Sequence, residues 1–170
     1  MPFDVICIAV IGKTNNPLYI KNCSRNAVYP DLKCHYIAHT AIDLVEEKSN
    51  HTQNLRVALL ASRILPDVAL PSHALVSTTK HADQYLGLLY ALEELAVFGY
   101  ITNTRVKFIV VTSLTDAAIK DQEMKALFRK IHNAYVALVS NPFWDPDAQR
   151  AISSPNFDRA IAQVAAGSSS

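Results

Sequence analysis

Val97-Phe-Gly-Tyr-Ile-Thr-Asn-Thr-Arg-Val-Lys-Phe-Ile-Val-Val-Thr112 is the stretch that decides the fold. Two runs of β-branched and aromatic residues flank the polar segment Thr102-Asn103-Thr104-Arg105, the pattern of a β-hairpin. The first arm, Val97–Ile101, mixes apolar residues with a glycine and reads as partly covered. The second, Val106–Val111, carries Lys107 as its one polar residue. An antiparallel strand with one wet face alternates, and this one does not, so it reads as a central strand covered on both faces. Val5–Ile11, wholly apolar, has the same character. Two doubly buried strands so far apart in the chain predict one sheet in which they lie side by side.

Working outward, the first strand continues to Lys13. Thr14-Asn15-Asn16-Pro17 is a turn by composition, and Leu18–Lys21 completes an opening hairpin. A helix is predicted from about Asp31 to Lys48, with Asp31 as its cap. At 100° per residue, Tyr36, Ile37, Ala41, Leu44 and Val45 are assigned to its core side. His35, His39, Ile42, Asp43 and Glu46 are assigned to the opposite side. Ser49–Ala82 breaks the pattern and reads as an insertion. Within it, Asn54–Leu65 reads as a short helix and Leu65–Ala82, rich in Pro, Ser and Thr, as a mobile segment. Tyr85–Tyr90 is a third strand, Ala91–Leu95 a connection, and the Val97–Val111 hairpin completes a meander. After a loop at Ser113–Lys120, a helix is expected from Asp121 as cap, with Met124, Leu127, Phe128, Ile131, Tyr135 and Leu138 on its apolar side. Asn141-Pro142 ends it. Ser154-Pro155 opens a last helix, Ser as cap and Pro at the first helical position.

The order ββα, insertion, βββαα predicts an α+β fold. Its five-stranded antiparallel sheet runs 2-1-5-4-3, with one helix on one face and two on the other. Residues 1–166 read as a single domain and 167–170 as a disordered tail. The chain has 170 residues, half of them hydrophobic and 18% charged. That length supports a full core without disulfide staples. A formal net charge of +1 gives no electrostatic case for nucleic acid. Cys7, Cys23 and Cys34 lack metal-ligand spacing and read as free thiols of a reducing compartment. The start of the chain lacks the basic segment of a signal peptide. No apolar run approaches the roughly 20 residues of a membrane span.

Candidate chemistry is sparse. His35, His39 and Asp43 follow one another at helical spacing and offer three potential metal ligands, the basis for an alternative reading as a small metal-dependent hydrolase. They are assigned to an outer face, however, where no closed pocket would tune a metal. Four glycines in the whole chain cannot build a phosphate-cradling loop. Lys125, Arg129 and Lys130 form a basic edge suited to an acidic partner or an anionic membrane surface. No catalytic, cofactor or metal residues are assigned. His39, Ile42, Asp43 and Glu46, an apolar centre with a polar rim, are assigned to partner binding.

Several segments, in order, are similar to the sedlin branch of the TRAPP vesicle-tethering complex. They are Cys7–Ile11, Pro17–Ile20, Lys33–Tyr36, His39-Thr40, Leu44–Lys48, Tyr85–Tyr90, Phe98–Val111, Phe128–Tyr135 and Asn141–Phe143. The resemblance implies a longin (SNARE-like) fold. It implies an adaptor, not a catalyst, within a complex that exchanges nucleotide on Rab-type GTPases. It further implies other TRAPP subunits as direct partners, a Rab-type GTPase as an indirect one, and peripheral membrane association through the complex. The place implied is the cytoplasm, at Golgi and ER–Golgi membranes. Ser49–Ala82 is longer than the family's usual link. A free-standing longin-type adaptor is the alternative within the same class.

Overall fold

A computed structural model describes residues 3–24, 30–64, 84–92, 94–114, 119–145 and 150–167. Five strands, β1 (Val5–Ile11), β2 (Pro17–Asn22), β3 (Tyr85–Leu92), β4 (Leu95–Ile101) and β5 (Lys107–Ser113), form one antiparallel sheet. Its order is β2-β1-β5-β4-β3, as the sequence predicts. Central β1 and β5 pair along their length, with Ile8 opposite Val110 and Val10 opposite Phe108. Every residue of β1 is buried, as is β5 up to Thr112. Covering both faces removes any need for alternation, hence the unbroken apolar runs. β4 differs from expectation. It is buried from Leu95 to Tyr100, because β3 and β5 flank it and helices cover both of its faces.

Helix α1 (Asp31–Ile64) lies on one face. Its Cys34, Ile37, Ala38, Ala41, Ile42 and neighbouring Val45 are buried, most of them in one core with Ile6, Cys7, Ala9, Ile11, Val97, Ile109 and Val111. Helices α2 (Asp121–Val139) and α3 (Pro155–Ala166) cover the other face. There Met124, Leu127, Phe128, Ile131, Phe157 and Ile161 pack on Val5, Ile8, Val10, Phe98, Phe108 and Val110. Tyr100 stacks between Phe108 and Phe128, its ring 5.7 and 5.5 Å from theirs. Offset stacking of this kind adds to the area the rings bury.

The edges are tied down. Ile152 N–H donates to Leu18 C=O at 2.7 Å, closing part of the outer side of β2. Tyr19 of β2 donates to the Asp158 carboxylate of α3, and Lys21 lies 3.3 Å from the same oxygen. At the other edge, Lys48 of α1 donates to Leu88 C=O of β3. Covered edges of this kind discourage pairing with a second sheet. Gly99 of β4 lets the Leu89 side chain lie close: a Cβ there would meet it at 3.0 Å, so the leucine would have to shift.

Several boundaries differ from expectation. α1 does not stop at Lys48 but continues to Ile64. Ser49 is buried on the same side as Val45, so the polar composition that suggested a break is compatible with a helix. β3 runs to Leu92, which pairs with Leu95, where a connection over Ala91–Leu95 is expected from the sequence. β5 runs on to Ser113 because Thr112 pairs with both Val5 and Ala96. Asp121 is the first residue of α2, not its cap; Lys120 takes the cap position without a side-chain bond. Ser154 does cap α3, its hydroxyl accepting from Phe157 N–H at 3.4 Å. The segment Leu65–Ala82 and the tail Ser168–Ser170 lie outside the described residues, apart from Gly167, which closes α3.

Candidate interaction site

The partner face assigned from sequence divides in the structure. His39 and Asp43 are exposed on the outer side of α1. Ile42 is not: it is 5% exposed and belongs to the core between α1 and the sheet. Tyr36, assigned to the core side, is 70% exposed. The physical reason is a helix phase displaced by about a quarter turn, at roughly 100° per residue. Weighting the large Tyr36 and Leu44 pulled the predicted stripe away from the small residues Cys34, Ala38 and Ala41. Small side chains are what let a helix lie close on a sheet. The outer face therefore reads Leu32, Tyr36, His39 and Asp43, a stripe at i, i+4, i+7 and i+11. Leu32 is 79% exposed. An aromatic and a leucine on an outer helical face, with a carboxylate at one end, resemble the anchor-and-rim composition of protein interfaces.

Glu46 has a different position again. It is half-exposed, and its carboxylate turns toward the end of the sheet. Asn15 Nδ2 donates to Glu46 Oε1 at 2.9 Å, and Lys107 Nζ lies 3.3 Å from the same oxygen. Lys107 also donates to Asn15 Oδ1. This clasp joins α1, the β1–β2 turn and the first residue of β5. It answers the question raised by a lysine in an apolar strand: a buried ammonium is retained only with partners. The bonds from Asn15 and Lys107 hold the Glu46 carboxyl below its ordinary pKa, with Arg105 adding to the effect. Sequence reasoning missed the clasp. The lone Lys107 was the available signal, but nothing in the sequence named Asn15 and Glu46 as its partners.

His35, His39 and Asp43 do not assemble a metal centre. Among the described residues, no three His, Cys, Asp or Glu side chains come together to hold an ion. Cys7 and Cys34 face each other in the core between β1 and α1, and their hydrogen bond, with burial, pushes the Cys7 thiol well up. That is the environment of an inert structural thiol. On the opposite side of the molecule, Lys125 lies over the Tyr85 ring, 5.5 Å from its centre. Arg129 and Lys130 are exposed, so the expected basic edge is present. No helix among the described residues is long and apolar enough to cross a membrane.

Comparison with known proteins gives these surfaces a context. The Sedlin family profile matches residues 10–167. The trafficking protein particle complex subunit 2-like protein of Mus musculus is 36% identical over 159 residues, covering 94% of this chain and 95% of the mouse protein. The protein of the same name from Taeniopygia guttata is 38% identical over 141 residues, 83% of this chain and 84% of that one. Trafficking protein particle complex subunit 20 of Saccharomyces cerevisiae is 29% identical over 172 aligned positions, 92% and 94% of the two chains. The profile match runs from the end of β1 through β5 and all three helices, and on that extent the chain belongs to the sedlin family.

Proposed function

We propose that the protein is a non-catalytic adaptor subunit of a trafficking protein particle complex. The observation that carries this reading is the extent of the likeness: relatives named as subunits of that complex match along nearly their whole length. The likeness thus extends over most of this chain and is not confined to one motif. In this reading the complex tethers vesicles and exchanges nucleotide on a Rab-type GTPase. It acts at the cytoplasmic side of Golgi and ER–Golgi membranes, and this chain reaches GTPase and membrane only through its fellow subunits.

The outer face of α1 is the docking surface in this reading. Leu32 and Tyr36 supply apolar contact area at modest entropic cost, and His39 and Asp43 supply polar contacts that fix orientation. Ile42 acts from behind, by holding the helix on the sheet. Affinity purification of the tagged full chain from its own cells, followed by mass spectrometry, tests the proposal. Recovery of the other complex subunits in fixed ratio is the expected result. Recovery of the chain without them would contradict it.

A further inference from the structure

We infer that the turn Asn141-Pro142-Phe143, at the end of α2, is a docking element that inserts its phenyl ring into the pocket of a partner domain reading this tripeptide. Phe143 is 95% exposed, although phenylalanine ranks among the residue types most often buried. An exposed apolar side chain on a loose loop would need no explanation, but this one stands on a turn held from both sides. Phe143 N–H donates to Asn141 Oδ1 at 3.1 Å, and Trp144 N–H donates to Asn141 C=O at 2.9 Å. Asn at the first position and Pro at the second suit such a turn: the carboxamide stands in for a backbone acceptor, and the pyrrolidine ring presets φ. Upstream, Asn141 N–H donates to Leu138 C=O at 3.2 Å, and the Ser140 N–H and hydroxyl both donate to Val136 C=O, at 2.9 and 2.7 Å. The turn therefore continues directly from the last turn of α2. Downstream, Trp144 is half-buried and packs against the core under α2 and α3. The Phe143 ring takes no part in these restraints.

An aromatic ring held in water on a fixed support is what an interface anchor requires. The entropy of ordering the turn is met in folding, so a partner that takes the ring gains its burial at little further cost. The tripeptide also sets what that partner must offer. A phenyl ring without a polar atom asks for a narrow apolar pocket. Asn141 Oδ1 is engaged within the turn, which leaves Nδ2 to donate to an acceptor at the pocket's rim. Pro142, exposed beside them, adds apolar contact and brings no donor that would need a partner. These demands fit a small protein domain that captures a three-residue turn. A second copy of the chain is the competing occupant. An apolar groove of about 240 Å³ between α2 and α3, lined by Ala134, Ala137, Leu138, Phe157 and Ala160, lies beside the turn. One ring in a groove buries far less than the roughly 800 Å² per partner of a stable interface, so self-association is disfavoured. The turn belongs to the α2–α3 side of the sheet, opposite α1, and can be tested apart from the face of that helix.

The test titrates the full ¹⁵N-labelled chain with a recombinant EH domain, a helical module whose pocket accepts Asn-Pro-Phe turns. Saturable shifts of the Asn141, Phe143 and Trp144 amides are expected, with those of α1 unmoved. Phe143→Ser changes an exposed side chain and should melt at the parent's temperature. It should bind at least about tenfold more weakly, because the aromatic anchor is gone. Asn141→Ala keeps the ring but removes the carboxamide that holds the turn, and should also weaken binding. Absence of saturable shifts, shifts confined to other parts of the chain, or equal binding by either variant would each overturn the proposal. So would association of the chain with itself that Phe143→Ser abolishes, since that result would assign the ring to the α2–α3 groove of a second copy.

Discussion

Lys107 Nζ lies 3.3 Å from Glu46 Oε1, joining the start of a central strand to the helix that covers it. The lysine is almost wholly buried and the glutamate is half-exposed. Solvent therefore screens the pair on one side only, and its strength falls between those of a surface and a buried ion pair. Glu46→Gln keeps the side chain's shape and removes its charge. It should cost about 1–2 kcal/mol in chemical denaturation. Adding Lys107→Met to that variant should restore part of the loss, because a buried pair replaced by apolar groups is often neutral. A double variant less stable than Glu46→Gln alone would show that Lys107 contributes by something other than this pairing.

The pairing of β1 with β5 at the sheet centre predicts the most severe substitution. Val110 is fully buried, opposite Ile8 on one side and Phe98 on the other. Val110→Asp places a carboxylate among the buried apolar side chains of the core under α2 and α3, at a cost of about 3–5 kcal/mol. That is comparable to the total stability of many domains. The expected result is an insoluble or unfolded chain. A melt equal to that of the parent would remove Val110 from the core.

Acid should weaken the α2 side of the molecule. His132 sits against Tyr100 and Phe108, with Tyr100 Oη 2.9 Å from its Nδ1. Burial lowers its pKa. The folded state then holds that proton less tightly than the unfolded chain, so stability is full above the unfolded value of about 6.5. It declines as the pH falls from there through the lower folded value. His132→Gln should flatten the denaturation midpoint across that interval. An unchanged pH dependence in the variant would assign the acid sensitivity to other groups.

Much of this architecture is legible in the residues themselves. Val5–Ile11 and Val106–Val111 announce their double burial by lacking alternation, and the strand order follows from placing them together. Ser154-Pro155 specifies its helix start locally, and the structure has the cap. Two kinds of feature escape such reading. One is the phase of α1, where Tyr36 carries more apolar surface than Ala38 yet faces solvent; packing distance to the sheet, not hydrophobicity, decides it. The other is the clasp of Asn15, Glu46 and Lys107, whose members are 31 and 92 residues apart in the Asn15 pairings. Only the sheet order brings the two turns together. The candidate docking face was accordingly half legible: His39 and Asp43 are exposed as expected, Ile42 is core, and Glu46 is engaged by the sheet.

The docking role of α1 is tested most directly by recovering the complex with wild type and with Tyr36→Ser/Asp43→Lys, alongside a thermal melt of each isolated chain. Both side chains are exposed, so stability should stay within about 0.5 kcal/mol of wild type. The other complex subunits should be lost from the variant, because an apolar anchor is gone and a charge is reversed. Undiminished recovery of those subunits, with the melt unchanged, would contradict the assignment of this face.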